Sequence, residues 1–227
     1  MLEKQNIITI DGPAGVGKST VSRMVAAATG FTYLDTGAMY RGVGLFLQDN
    51  AVDLQDQQAI GKLLQTLDLQ LLPASGVSAD VGVLINNRDV SLEIRTPAMS
   101  MVASDVSALA VVRDYLTSMQ RSYGERGGVV AEGRDTGTVV FPAAAFKFFL
   151  DAEPEERARR RYSQLKAKGM DADVEEILAM TLLRDKNDRE RDIAPLAQAE
   201  DASLIDTTDI NIEKVVSLIL QKVNKGL

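Results

Sequence analysis

A chain of 227 residues, 45% hydrophobic and 25% charged, has room for one core domain with an insertion or lid. It contains no cysteine and no histidine, which excludes disulfides, thiolate chemistry, a histidine base and the usual zinc sites. A formal charge of −7 argues against a broad nucleic-acid surface, so arginines that meet a polyanionic ligand must be gathered locally.

Residues 6–10, apolar and β-branched, predict a buried strand, and 18–29 has helical spacing at Val21, Met24, Val25 and Ala28. Between them stands Gly12-Pro13-Ala14-Gly15-Val16-Gly17-Lys18-Ser19, a complete phosphate-binding loop that runs on into Thr20. A strand, a glycine-rich turn and a helix aim successive backbone N–H groups and the helix dipole at one point. Lys18 then reaches the β- and γ-phosphates, and the Ser19 hydroxyl can ligate Mg²⁺. An idle glycine turn is the competing reading, and the strand–helix context disfavours it. The pattern predicts binding of a nucleoside triphosphate, with any metal a hard cation held by oxygen.

A second strand is expected over 31–34 and a helix over 38–49. The junction Asp35-Thr36-Gly37-Ala38-Met39-Tyr40-Arg41 sets Thr36 at a helix N-terminus and Arg41 a turn and a half beyond, where they could hold a second phosphate. Taken alone, an ordinary N-cap threonine and a solvated arginine explain the same residues. Residues 67–90 alternate as a β-rich patch with a turn at Asn86-Asn87, read as a small sheet inserted on the rim of the core. Two further central strands are the alternative. A helix over 96–123 follows, then a strand over 128–132 ending in Glu132-Gly133-Arg134-Asp135. Glu132 is the candidate carboxylate for the metal's water shell, and Arg134 and Asp135 fall at the carboxyl end of the sheet, where ligands bind. A plain charged turn competes with that reading.

Residues 146–150 predict a strand, and helices are expected over 153–168 and 173–191. Arg157, Arg160 and Arg161 share one helix face, as do Arg184, Asp188 and Arg191. Salt-bridge lacing is the usual cause of such charge. Glu155 and Glu156 support it for the first set, whereas the Arg-Asp-Arg stripe stands apart. The stretch 166–173, with Gly169 and polar neighbours, predicts a mobile lid. A strand over 203–205 and a helix over 212–223 close the chain. The alternation of strands and helices predicts an α/β fold with a parallel five-stranded central sheet. With no run of eighteen apolar residues and no signal-peptide pattern, a soluble cytoplasmic protein is expected.

The sequence resembles the bacterial cytidylate kinases, a family of nucleoside monophosphate kinases. The resemblance rests on Ile8-Thr9-Ile10-Asp11-Gly12-Pro13, Leu34-Asp35-Thr36-Gly37-Ala38-Met39-Tyr40-Arg41 and Ile94-Arg95-Thr96. It continues through Gly133-Arg134-Asp135-Thr136-Gly137-Thr138-Val139-Val140-Phe141-Pro142, Phe149-Leu150-Asp151-Ala152 and Asp192-Ile193-Ala194-Pro195-Leu196. It implies a P-loop NTPase three-layer fold over 1–227, a monophosphate-binding region at 36–100 with its β-rich insert near 67–95, a lid at 157–191, and a core formed by the remainder. It implies transfer of a phosphoryl group from ATP, with Mg²⁺, to CMP and dCMP, by a monomer that binds neither nucleic acid nor membrane.

Residue by residue, the resemblance implies that Thr36, Arg41, Arg134 and Arg191 hold the CMP phosphate, with Lys18, Arg134 and Arg191 the catalytic cations. Ser104, Arg113 and Asp135 would read the cytosine edge, though the same helix offers Ser100 and Ser107 as alternatives to Ser104. Arg184 and Asp188 would hold the ribose. Arg157 and Arg161 would flank ATP as lid residues, beside the loop from Gly12 to Thr20. Ser19 and, through water, Glu132 would serve Mg²⁺, the family more often having aspartate at that strand end. The rivals are a UMP or shikimate kinase, a nucleotide-operated switch, and a module that senses nucleotide without turnover. GTPase switches use Asn-Lys-x-Asp, whereas the Asn224-Lys225 pair here is followed by Gly226-Leu227.

Overall fold

The computed structural model of the protein describes residues 5–74, 76, 79–167 and 169–226. Lys168, expected to end the helix over 153–168, lies outside the described residues, as do positions 75, 77 and 78 of the β-rich patch. The chain divides into two compact units, one formed by residues 1–33 and 127–227 and the other by residues 34–126.

The first unit is built on the predicted sheet, whose strand β2 (Thr32–Asp35) it shares with the second unit from Leu34 on. Strands β1 (Gln5–Asp11), β2 (Thr32–Asp35), β6 (Val129–Gly133), β7 (Ala144–Asp151) and β8 (Ser203–Asp206) form one five-stranded sheet in the order β2-β6-β1-β7-β8. The pairs β1–β6, β1–β7 and β7–β8 are parallel, with Ile10 opposite Glu132 and Asp11 opposite both Gly133 and Phe149. The central strand β1 is buried on both faces, as a parallel strand in the middle of a sheet must be. Ile8, Ile10, Val130, Phe148 and Leu150 pack on one side against Val21 and Val25 of α1 (Lys18–Thr29) and Val215, Val216, Ile219 and Val223 of α8 (Ile212–Gly226). Helices α6 (Pro154–Ala167) and α7 (Val174–Glu190) pack on each other, and Asp173 caps α7 by accepting from the Glu175 and Glu176 N–H groups. A π-turn over residues 136–140, absent from the sequence reading, follows β6.

The second unit contains α2 (Thr36–Asp49), α3 (Gln57–Leu64), α4 (Pro97–Ser107) and α5 (Ala110–Gly124), with the antiparallel sheet β3 (Leu69–Leu72), β4 (Gly82–Ile85) and β5 (Arg88–Asp89). The β-rich patch is therefore a separate sheet and not two more central strands. Asn86 and Asn87, both at positive φ, turn β4 into β5, the backbone that a two-residue hairpin demands. Two expectations need correction. The helix predicted over 96–123 is two helices: Ala108 caps α4, and Leu109 is extended before α5 begins. Helix α3 was not predicted, although Asp56 caps it at the Ala59 N–H and Ile60 and Leu64 supply its buried face. Among the described residues no helix is long and apolar enough to cross a membrane.

Candidate functional site

In the first unit the phosphate loop is fixed through its carbonyls. Gly12 has φ 147, and a β-carbon there would fall 2.0 Å from the Leu150 carbonyl oxygen, so the strand-to-loop turn admits glycine alone. Gly17, at φ 93, turns the chain into α1. Lys18 Nζ donates to the Pro13 carbonyl at 2.6 Å, Arg157 Nη1 to that of Ala14 at 3.1 Å, and Thr207 Oγ1 to that of Val16 at 3.2 Å. The Val16 side chain is sunk in the core. Among the described residues no backbone carbonyl accepts from the N–H groups of Gly15, Val16 or Gly17. Carbonyls tied back and N–H groups uncommitted are the chemistry of an anion cradle, and Ser19 and Thr20 lie exposed at the helix start beside it. These residues fit a nucleotide's phosphates.

The electrostatics agree. Lys18 is 7% exposed. Burial, and then the guanidiniums of Arg134 and Arg184 nearby, pull its ammonium well below the ordinary lysine range against the opposing carboxylates Glu132 and Asp11. Such a cluster of cations favours an anion between them. Glu132, buried at the end of β6, accepts a hydrogen bond from the Tyr33 hydroxyl through Oε1. Among the described residues no three acidic side chains gather into a metal site. A divalent cation here would be held by one or two side-chain oxygens together with phosphate and water, the usual manner of Mg²⁺.

The helix predicted to run to Arg191 ends at Glu190, so of the predicted stripe Arg184 and Asp188 lie on α7 and Arg191 is extended just past it; Asp188 and Arg191 meet the segment after β6. Arg134 Nε donates to Asp188 Oδ2 at 2.8 Å, and Arg191 Nη2 to Asp135 Oδ1 at 3.3 Å. Arg191 also donates to the Ala194 carbonyl, through Nε at 2.7 Å and through Nη2. Burial alone would raise the Asp188 carboxyl, but Arg134 and Arg184 beside it outweigh that and hold it below the usual carboxylate range.

Of the arginines on α6, Arg157 is buried and Arg161 half-buried. Arg157 is 2% exposed. Its guanidinium grips Asp185 of α7 with both Nη atoms, while Nε donates to the Ala152 carbonyl and Nη1 to Ala14. It therefore braces the phosphate loop from beneath. Arg160 ties the carbonyls of Thr207 and Thr208, and Arg161, half-buried, reaches Gln164 at 3.5 Å.

In the second unit a different cation cluster forms. Asp35, not Thr36, is the N-cap of α2, accepting from the Ala38 N–H at 2.8 Å, and Thr36 is the buried first residue of the helix. Arg41 Nη2 and Arg95 Nη1 both reach Asp35 Oδ2, at 3.4 and 3.3 Å. Arg95 Nε also lies 3.8 Å from Asp80 Oδ2, so the two guanidiniums are matched by two carboxylates. Arg113, buried on α5, lies 5.7 Å over the Tyr40 ring and donates to the Ser107 carbonyl at 3.2 Å. Ser104 is buried on α4, and its carbonyl accepts from the Ser107 hydroxyl. The helix break thus places Ser104 and Arg113 on separate helices bridged by Ser107.

The comparisons with known proteins bear on the whole chain. The sequence profile described as cytidylate kinase matches residues 8–225. The chain belongs to the cytidylate kinase family. The cytidylate kinase of Carboxydothermus hydrogenoformans is 49% identical over 220 residues, covering 96% of this chain and 97% of that one. That of Syntrophotalea carbinolica is 48% identical over 222 residues, covering 98% and 93%. Among solved structures, an uncharacterized protein from Eubacterium ventriosum shares the fold at TM-score 0.52 and 12% identity, over 98% of this chain and 99% of that one.

Within this cytidylate kinase fold, sequence reasoning missed two charged residues. Arg95 joins Arg41 on Asp35; its only sequence signal was its place in the Ile94-Arg95-Thr96 stretch. Asp11, at the end of β1, accepts from Thr136 and Gly137, 125 and 126 residues away. Burial pushes its carboxyl up to about 6, opposed by those hydrogen bonds and reinforced by Asp135. A raised carboxyl means that the folded state binds the extra proton. Its contribution to stability is full below pH 3.8 and is lost as pH rises through about 6. The shift corresponds to about 3 kcal/mol. Urea unfolding at several pH values should show wild type losing stability across this window more steeply than Asp11→Asn; parallel profiles would contradict the shift.

Proposed function

We propose that the protein transfers the γ-phosphoryl group of ATP to CMP and dCMP, forming CDP and dCDP. The observation that carries this reading is the phosphate loop, its buried Lys18 crowded by Arg134 and Arg184, within a chain of the cytidylate kinase family. A phosphate oxygen of CMP bonds to the γ-phosphorus as the β,γ-bridging bond breaks, and ADP leaves. That oxygen is already anionic at neutral pH, so no enzyme base is needed. Catalysis is positioning and charge neutralisation, which suits a chain without histidine.

Lys18 and the N–H groups of the loop from Gly12 to Thr20 would hold the donor phosphates. The Ser19 hydroxyl would ligate Mg²⁺, and Glu132 would face its water shell. When bound, that ion neutralises phosphate charge. Thr36, Arg41, Arg134 and Arg191 would hold the acceptor phosphate, and Arg184 and Asp188 the ribose. Ser104, Arg113 and Asp135 would read the cytosine edge. Arg161 would flank ATP, while Arg157 would act through the Ala14 carbonyl. In this reading residues 36–100 are the monophosphate-binding region, with the β-rich insert near 67–95, residues 157–191 are the lid, and the remainder is the core. The protein would act as a cytoplasmic monomer without nucleic-acid or membrane partners.

Phosphorus NMR tests the chemistry. Incubation with MgATP and CMP should produce ADP and CDP in equal amounts. Loss of ATP without appearance of CDP would mark a hydrolase or switch and sink the reading.

A further inference from the structure

Asp11 serves none of the roles assigned above, although it is the last residue before the phosphate loop and is buried. Its carboxylate is held by two consecutive residues distant in sequence. Oδ1 accepts from the Thr136 backbone N–H at 2.9 Å and from the Thr136 hydroxyl at 2.7 Å, and Oδ2 accepts from the Gly137 N–H at 2.7 Å. Those donors open the π-turn that directly follows Arg134 and Asp135. The turn is also pressed against β1. A β-carbon on Gly137 would lie 2.8 Å from Thr9 Oγ1 and 3.3 Å from Asp11 Oδ2.

We propose that Asp11 is a positioning residue, fixing the turn that carries Arg134 and Asp135 to the strand from which the phosphate loop springs. This rests on the reading of Arg134 and Asp135 as acceptor contacts. The two loops that must meet at the transferred phosphoryl group, one for donor and one for acceptor, would then share a single anchor. Backbone pairing brings Asp11 and Gly133 into register, but β6 pairing ends at Gly133, one residue before the functional side chains. From that point the Asp11 carboxylate holds the backbone. Misplacement of such contacts by a fraction of an ångström is costly in phosphoryl transfer, where orientation supplies much of the rate.

Three donors need acceptors on both oxygens. Asparagine fills the same space but sets an amide N–H₂ against either the Thr136 pair or the Gly137 N–H. Asp11→Asn is therefore expected to raise the Kd for CMP about 10-fold or more while the Kd for a non-hydrolysable ATP analogue moves less than about 3-fold. Thr136→Val, which keeps both backbone bonds, should shift CMP in the same direction by less, and Thr136→Ser should bind as wild type does. In the ligand-free protein, amide exchange at Thr136 and Gly137 should be slow in wild type and fast in Asp11→Asn. Thr136→Val carries the test where Asp11→Asn does not fold. Variants that lose thermal stability yet keep the wild-type CMP and ATP-analogue affinities would overturn the proposal, as would equal weakening of both ligands. Failure of the wild type to phosphorylate CMP would instead overturn the functional reading, because amide exchange reads the hold of Asp11 on the turn without any ligand.

Discussion

Lys18→Ala is expected to lower kcat by about 10³-fold while leaving the Kd for CMP within about 3-fold of wild type. The lysine emerges from the donor loop, is bonded at 2.6 Å to a carbonyl of that loop, and is buried among groups of the same unit. In the proposed reading its charge serves the β- and γ-phosphates, where negative charge shifts during transfer, and not the acceptor. The loss should therefore appear in turnover. Alanine also leaves the Pro13 carbonyl without its donor, a structural cost that a melting curve records separately from kcat. Calorimetric titration of CMP into the variant, beside single-turnover kinetics, checks the division of roles. A large loss of CMP affinity there would contradict it.

Arg134→Ala should damage binding, transfer and stability together. In wild type the Arg134 guanidinium compensates Asp188, which is 3% exposed. Removing Arg134 takes away the hydrogen-bonded partner and leaves the Asp188 charge to Arg184 and Arg191 alone, a loss of at most about 3 kcal/mol. If Arg134 also holds the acceptor phosphate, kcat/KM for CMP falls by at least about 10³-fold. The pH dependence has a definite sign. Arg134 and Arg184 hold the Asp188 carboxyl below its ordinary range despite burial, so its stabilising share is present at neutral pH and lost as pH falls through the folded value. Without Arg134 the carboxyl rises, so the destabilisation is largest near neutrality and shrinks on acidification. Urea unfolding at pH values on either side of the carboxylate range reads this directly. A variant with wild-type stability and reduced CMP turnover would show that the ion pair contributes nothing to the fold.

Much of the donor loop was legible in the sequence because its chemistry is local. Glycines, lysine and serine at fixed spacing between a strand and a helix leave few alternative conformations. The Asn86-Asn87 turn was legible for the same reason, since two residues that tolerate positive φ sit between β-rich runs. What escaped was long-range. Arg157 shares a helix face with Arg160 and Arg161, and periodicity shows the shared face without showing which way it points. In the fold Arg157 turns to Ala14 and Asp185 and Arg160 to Thr207 and Thr208. Asp11 was invisible as an anchor because its partners are more than a hundred residues away. The break at Ala108 and Leu109 carries neither glycine nor proline, so the periodicity ran through it. Asp35 displaced Thr36 as the cap because both can fill that role and only the backbone decides between them.

The most direct test of the central claim is kcat/KM for CMP, dCMP, UMP, AMP and GMP with MgATP as donor, followed by coupled detection of ADP. In the proposed reading, polar groups that hydrogen-bond a cytosine edge are left unsatisfied by a purine, and sites built this way discriminate strongly. CMP and dCMP should exceed AMP and GMP by at least about 100-fold. Equal values for CMP and AMP would contradict the assignment.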